Sequence, residues 1–231
     1  MASTYNLVEY DAEEERENDP RGPPRPNILA AAAFIHSLLA MNGVVHAMVG
    51  GFAMNCRGSQ RNTWDIDVVA DATMARIWAI LIPQPRLKIP NTRLIEGVLK
   101  LFVETGPNYE SSSCQESRWI DVDIMTPGFG GSPRDLTSHV VEIPVKIGDH
   151  QIPIPCLDIL YMVRLKLAKC VTRDVNRDIH DLQYLLDTYP TDISNICKNL
   201  DQNEVDELFE LDWVRDSPYE VVTRWQQILG R

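Results

Sequence analysis

Two aspartates stand two positions apart inside an otherwise apolar segment, residues 64–70 (WDIDVVA). This segment predicts a strand, and alternate side chains of a strand point to the same face. Asp65 and Asp67 would therefore project together, with their Cα atoms roughly 7 Å apart. Two neighbouring carboxylates repel each other, so we expect cations beside them. A solvated edge strand with alternating polar positions is the alternative interpretation.

A second segment, residues 119–125 (WIDVDIM), repeats the pattern with Asp121 and Asp123. If this strand neighbours the first, three or four carboxylates converge on one face of a sheet. Carboxylate oxygens, together with substrate phosphates and water, are the ligands that Mg²⁺ prefers. Ions about 4 Å apart can then activate an attacking oxygen and stabilise a leaving one. The two segments therefore predict a two-metal site.

A pair of glycines, Gly50 and Gly51, follows the apolar residues 44–49 (VVHAMV). We predict that they end a strand and begin a short helix. Backbone N–H groups at such a helix start attract anions, and glycine lets the backbone approach a phosphate closely. A turn suited to binding phosphate thus precedes a strand suited to binding metal. That combination suits the transfer of a nucleotidyl group.

These features resemble the polymerase-β-type nucleotidyltransferase superfamily. Within it, the chain looks most like the minimal nucleotidyltransferases, which include abortive-infection toxin-type enzymes and relatives that modify aminoglycosides. The resemblance covers about residues 44–188. It rests on the glycine pair, on the thirteen residues that separate this pair from the Asp-x-Asp strand, and on a third carboxylate in a strand. It also rests on the motif Arg61-x-Thr63-x-Asp65-Ile66-Asp67.

The alternation of strand and helix signals along the chain predicts an α+β fold, with a mixed β-sheet and flanking helices followed by an all-α C-terminal region, and the resemblance implies that this is the nucleotidyltransferase fold. It further implies magnesium-dependent transfer of a nucleoside monophosphate from a nucleoside triphosphate, such as ATP, to a hydroxyl of a small molecule, protein or RNA, with release of pyrophosphate. A catalytically silent protein of the same fold, which binds nucleotide or a protein partner, is the alternative.

The resemblance also assigns roles to individual residues. Gly50 and Gly51 would bind the triphosphate, and Asp65 and Asp67 would ligate two Mg²⁺ ions. Asp123 would be the third carboxylate, although Asp121 could take that role instead. Nucleotide contacts would also come from Arg61, Thr63 and Lys166. For Arg61 a structural role, and for Lys166 a surface position, are the alternatives.

The chain divides into three parts by composition. Residues 1–25 are acidic and rich in proline, which predicts a disordered tail. Residues 26–155 form the α+β core. In residues 156–231 the apolar residues recur with the period of a helix throughout. We expect helix caps at Asn27, Asp71 and Ser217, and a hairpin turn at Gly148-Asp149.

The net charge of −11 argues against broad binding of nucleic acids. No segment has the length of apolar residues that a membrane helix needs, and the N-terminus does not have the pattern of a signal peptide. The five cysteines are scattered and form no CxxC pair, which predicts free thiols in a reducing compartment. We therefore expect an intracellular, cytoplasmic protein. Its acidic helices around residues 201–212 could contact a protein partner.

Overall fold

A computed structural model describes residues 1–10, 21–93, 96–110, 114–147, 150–173 and 175–231. These residues form two compact units. A sheet unit comprises Met1–Phe129 and Pro133–Leu157, and a helical unit comprises Gly130–Ser132 and Asp158–Arg231. The α+β class and the mixed sheet predicted from the sequence are confirmed.

The sheet unit contains an eight-stranded sheet in the order β1-β4-β5-β6-β3-β2-β8-β7. The pairs β1/β4, β2/β8 and β3/β6 are parallel, and the other neighbours are antiparallel. The strands are β1 (Ser3–Tyr5), β2 (His46–Val49), β3 (Asp65–Ala70), β4 (Leu87–Pro90), β5 (Val98–Thr105), β6 (Arg118–Met125), β7 (Val140–Ile147) and β8 (His150–Leu157).

Helices α1 (Arg25–Met41), α2 (Gly50–Cys56) and α3 (Met74–Leu81) belong to the sheet unit. Helix α1 contacts β3, β5 and β6 through a buried surface that includes Ala31 and Ile35. In β3, Ile66 and Val68 are fully buried. Since alternate strand residues face opposite ways, the aspartates of β3 lie on the face of the sheet away from these core residues.

The predicted disorder of residues 1–25 is wrong for Ser3–Tyr5, which form strand β1 alongside β4. Tyr5 anchors this strand because its buried ring packs edge-to-face on Phe102, with 5.0 Å between ring centroids. Its hydroxyl also donates a hydrogen bond of 3.0 Å to the backbone carbonyl of Lys100. Composition missed this strand because a few buried aromatic contacts offset the polarity of the segment. Residues 11–20 of the predicted tail lie outside the described residues.

The predicted cap at Asn27 is wrong because α1 begins two residues earlier, after Pro24. The Asn27 amide instead donates hydrogen bonds of 2.9 Å to the Thr105 hydroxyl and to the Glu116 carbonyl. Its side chain is buried and therefore needs these partners. A residue of the capping type thus joins the helix to the sheet.

Two further predicted caps also differ from the structure. Thr73, rather than Asp71, caps α3 by accepting a hydrogen bond from the backbone N–H of Arg76. Ser217 donates to the Trp213 carbonyl and so closes the preceding helix, while the final helix starts after Pro218. Each true cap lies one or two residues beyond the predicted one. The predicted turn at residues 148–149 lies outside the described residues.

The helical unit consists of short helices, of which α4 and α5 are the longest. No described helix is long and apolar enough to cross a membrane. The helices are α4 (Ile159–Thr172), α5 (Asn176–Thr188), α6 (Pro190–Ile196), α7 (Gln202–Glu210), α8 (Asp212–Arg215) and α9 (Tyr219–Leu229).

A hydrogen bond between two histidines of the sheet unit joins α1 to β2. The Nδ1 atom of His36 lies 3.0 Å from Nε2 of His46, and Nδ1 of His46 lies 2.9 Å from the Val44 carbonyl. For His46 to donate to Val44, its Nε2 must accept from His36, so the His46 ring is neutral in this arrangement. Burial lowers the pKa of both histidines, and the Val44 carbonyl only partly offsets this for His46.

Because folding lowers these pKa values, the unfolded chain binds more protons than the folded chain just below pH 6.5. We therefore expect the free energy of unfolding to fall as the pH drops through 6.5 and to be fully retained above that value. Urea unfolding at pH 7.5 and pH 5.5 measures the change. His46→Asn should flatten the dependence, whereas the exposed His150→Asn should leave it intact. Equal slopes in all three proteins would contradict the prediction.

Candidate functional site

The two Asp-x-Asp segments lie on adjacent strands. Strands β3 and β6 are parallel, and their register pairs Asp65 with Asp121 and Asp67 with Asp123. Residues in register on neighbouring strands share a face. All four carboxylates therefore lie on one face of the sheet, opposite the buried Ile66. The sequence analysis required the strand of Asp121 and Asp123 to neighbour the strand of Asp65 and Asp67, and this is confirmed.

The Gly50-Gly51 turn follows β2 and approaches the first aspartate pair. Val49, the last residue of β2, pairs with Asp67 of β3. Gly50 has a φ of +61°, and a Cβ atom built on it would overlap the Asp67 carboxylate. Only glycine both adopts this backbone conformation easily and leaves room for the carboxylate. The glycine is thus required by the position of Asp67.

The second glycine leaves room for the loop before β3. A Cβ atom on Gly51 would overlap the Arg61 guanidinium and would lie 2.6 Å from the Thr63 hydroxyl. That hydroxyl lies 3.2 Å from the Asp65 carbonyl and 3.4 Å from a carboxylate oxygen of Asp65. Arg61 and Thr63, both implied by the family resemblance, therefore adjoin the glycine turn and the first aspartate.

A lysine that the sequence analysis missed contacts the second aspartate pair. Lys100 lies on β5 in register with Asp123. Its Nζ atom is 2.9 Å from Oδ1 of Asp123 and 3.3 Å from Oδ2 of Asp121. The same Asp121 oxygen accepts a hydrogen bond of 3.0 Å from the hydroxyl of Tyr10. A lysine flanked by Leu99 and Leu101 in an apolar strand is the signal that could have found it.

The electrostatics of this face reflect crowding of negative charge. Burial raises the pKa of Asp123, and the Asp65 and Asp121 carboxylates raise it further, while Lys100 lowers it without cancelling the rise. For Lys100, burial lowers the pKa, but Asp121 and Asp123 outweigh it and leave the value raised. The ammonium group is therefore firmly charged, and it compensates only part of the negative charge beside it.

The donor set of this face consists of carboxylate oxygens, which suits a hard divalent ion such as Mg²⁺. Asp65 and Asp67 offer such oxygens, because both are half-buried on the same face of β3. Asp121 and Asp123 are already engaged by Lys100. In the described ranges, no three His, Cys, Asp or Glu side chains are grouped so that they could hold a metal ion by themselves.

Lys166, which the resemblance implies as a nucleotide contact, has partners within the helical unit. It is only 3% exposed, and its Nζ atom lies 3.1 Å from Asp178 and 2.6 Å from Asp181. Arg173 also contacts Asp178 at 2.6 Å. Lys166 thus belongs to a buried ion-pair network that joins α4 to α5, a different role from the one the resemblance implies.

Comparison with known proteins supports the fold. An antigenic nucleotidyltransferase-like protein from Paracoccidioides brasiliensis is similar, with a TM-score of 0.59, 12% identity and coverage of 88% of this chain and 94% of that one. A putative nucleotidyltransferase from H. pylori is also similar, with a TM-score of 0.50, 14% identity and coverage of 90% and 96%. No protein-family profile and no curated protein sequence matches the chain. At such low identity the likeness establishes the nucleotidyltransferase fold.

Gly50→Ala should destabilise the protein by about 2–4 kcal/mol, because the new methyl group is strained at positive φ and overlaps the Asp67 carboxylate. Gly130→Ala is the matched control, since Gly130 has a φ of +58° with no neighbouring atom within 4 Å of its Cβ position among the described residues. It should cost about 1 kcal/mol. Urea unfolding compares the two variants, and equal costs would show that Asp67 does not constrain the turn.

Lys166→Met should lower the free energy of unfolding by about 3–5 kcal/mol, because it leaves the buried Asp178 and Asp181 short of positive charge. Lys198→Met, at an exposed position of the helical unit, should change it by less than about 0.5 kcal/mol. Chemical denaturation measures both. A Lys166→Met protein as stable as the Lys198→Met protein would contradict the structural role of this lysine.

Proposed function

We propose that this protein is a nucleotidyltransferase that moves a nucleoside monophosphate from a nucleoside triphosphate to a hydroxyl acceptor and releases pyrophosphate. One observation carries the proposal: Asp65, Asp67 and Asp123 share one face of the sheet beside the Gly50-Gly51 turn, in a chain with the nucleotidyltransferase fold. Carboxylates next to a turn that suits phosphate are the groups that this chemistry needs.

Asp65 and Asp67 would hold Mg²⁺ through their carboxylate oxygens. When bound, Mg²⁺ would neutralise negative charge on the triphosphate and on the leaving pyrophosphate. The protein would then contribute mainly by positioning and by electrostatic stabilisation. The contact between Asp67 and the glycine turn supports this, because it fixes the ion-binding carboxylate next to the backbone that would receive the phosphates.

Phosphate binding would use the glycine turn and nearby arginines. Arg21, Arg25 and Arg61 line one cavity, together with Thr63. Three guanidinium groups around one cavity are notable in a chain whose net charge is −11, because they create a local attraction for anions. Guanidinium groups also donate paired hydrogen bonds to phosphate oxygens. The triphosphate would therefore extend from the glycine turn towards this cavity.

Asp123 is favoured over Asp121 as the third carboxylate. Lys100 contacts both carboxylates, but an oxygen of Asp121 also accepts a hydrogen bond from Tyr10, and Asp123 lies in register with Asp67. Asp123 would accept the proton of the acceptor hydroxyl and orient its oxygen towards the α-phosphorus. The attacking oxygen would form the new P–O bond as the bond to pyrophosphate breaks.

The acceptor would be a hydroxyl of a small molecule, a protein or an RNA, and the acidic net charge favours the first two. A reducing, cytoplasmic setting would suit the five cysteines, all of which are free thiols. The exposed acidic positions of α7 could receive a protein partner.

A second function is favoured by the ion pairs of Lys100. If these keep Asp123 from acting in the reaction, the protein would bind a nucleoside triphosphate without turning it over and would serve as a nucleotide-binding or protein-interaction module. The same experiment separates the two functions, because only the enzyme releases pyrophosphate.

The test combines thermal shift with transfer of label from nucleoside triphosphates labelled at the α-phosphate, over small-molecule, protein and RNA acceptors. Magnesium with the preferred triphosphate should raise the melting temperature, because ligands that bind the native state stabilise it. Asp67→Asn should remove the magnesium-dependent part of this rise and lower transfer roughly 100-fold or more. Asp71→Asn, an exposed aspartate just beyond β3, is the control and should behave like the wild type.

Undiminished transfer by a correctly folded Asp67→Asn protein would refute the proposed function. Magnesium-dependent binding without pyrophosphate release for any acceptor would favour the binding module instead. Comparing the far-UV circular dichroism spectra of all three proteins ensures that a lost activity reflects the missing carboxylate.

A further inference from the structure

The ammonium group of Lys100 occupies the space between the two carboxylates of β6. Its Nζ atom is 2.9 Å from an oxygen of Asp123 and 3.3 Å from an oxygen of Asp121, so it forms an ion pair with each carboxylate. Residues two apart on a strand share a face, so a single cation from the neighbouring strand can bridge them. A divalent ion that bridged the same two oxygens would have to displace this group.

Several contacts hold Lys100 in this position. Its backbone carbonyl accepts a hydrogen bond of 3.0 Å from the Tyr5 hydroxyl. Its Nζ atom lies 5.8 Å from the centre of the Tyr10 ring, within the range of a cation–π contact. The rings of Tyr5, Tyr10 and Phe102 also pack edge-to-face on one another. The lysine is therefore seated among aromatic residues rather than extended into solvent.

The first aspartate pair is placed differently. No ion pair between Lys100 and either Asp65 or Asp67 is found in the described part of the chain. These two carboxylates lie on β3, next to the glycine turn. The positive charge that Lys100 contributes is thus directed at β6, and the face is divided into a lysine-bridged pair and a pair beside the turn.

We propose that Lys100 is a built-in cation that takes the place of a second metal ion on β6, so that the protein itself binds one divalent ion, at Asp65 and Asp67. This inference rests on the proposed function for the ion at β3. It makes Lys100 a positioning residue, which holds Asp123 through its ion pair and limits the number of metal ions.

Counting bound Mn²⁺ tests the proposal, because this ion accepts the same oxygen ligands and its free form is visible by electron paramagnetic resonance. Without nucleotide, the wild type should bind one Mn²⁺ per chain. Lys100→Met leaves Asp121 and Asp123 without their cation and should bind two. Lys88→Met, which removes a lysine of β4 that lies over the Phe102 ring, is the matched control and should bind one.

A triple variant, Lys100→Met with Asp121→Asn and Asp123→Asn, guards against misfolding of the single variant. It removes the uncompensated carboxylates together with the lysine, so it should fold without metal and bind one Mn²⁺. Two ions bound by the triple variant would place the extra ion elsewhere and overturn the proposal.

Two other outcomes would overturn it: two Mn²⁺ ions bound by the wild type, or no additional ion in Lys100→Met. Failure of the proposed function gives a different result. If the site at β3 does not bind metal, the wild type binds none, yet Lys100→Met still gains one ion relative to it. The difference between the two proteins therefore tests the role of Lys100 by itself, and no activity measurement is needed.

Discussion

The parallel pairing of β3 with β6 is the constraint from which the rest of the site follows. Its register places Asp65 beside Asp121 and Asp67 beside Asp123, so like charges meet along the centre of the sheet. Repulsion between them must be offset by nearby cations, because half-buried carboxylates lose much of their hydration. Lys100 on the next strand and the space left by Gly50 are both arranged around this requirement.

The N-terminal strand contributes to the same arrangement, although it is distant in sequence. Tyr5 fixes the backbone at Lys100, and Tyr10 donates to the Asp121 carboxylate that Lys100 also contacts. Burial of Tyr5 raises its pKa to about 12, so its hydroxyl keeps its proton and remains a donor at neutral pH. An acidic, polar terminus thus supplies aromatic residues that hold the cation of the site in place.

The sequence predicted the strands of the site and their chemistry because apolar alternation and paired aspartates are local signals. It could not predict Lys100, since the partner of Asp123 is set by the register of β5 on β6. It also missed β1, where Tyr5 is buried by contacts with residues about 95 positions away. The helix starts predicted from Asn27 and Ser217 were displaced by three residues and by one residue, because these side chains find other hydrogen-bond partners. Local patterns thus identified candidate groups, while non-local pairing decided which cation each carboxylate meets.

The helical unit provides an internal comparison for the charge balance of the site. There Lys166 lies between Asp178 and Asp181, and Arg173 adds a second cation to Asp178. Burial raises the pKa of Asp178, but these two cations outweigh it and leave the value lowered. At Asp123 the balance is reversed, because Lys100 serves a face with four carboxylates and the pKa stays raised. Two cations thus outweigh the effect of burial at Asp178, whereas the single ammonium group of Lys100 does not outweigh it at Asp123.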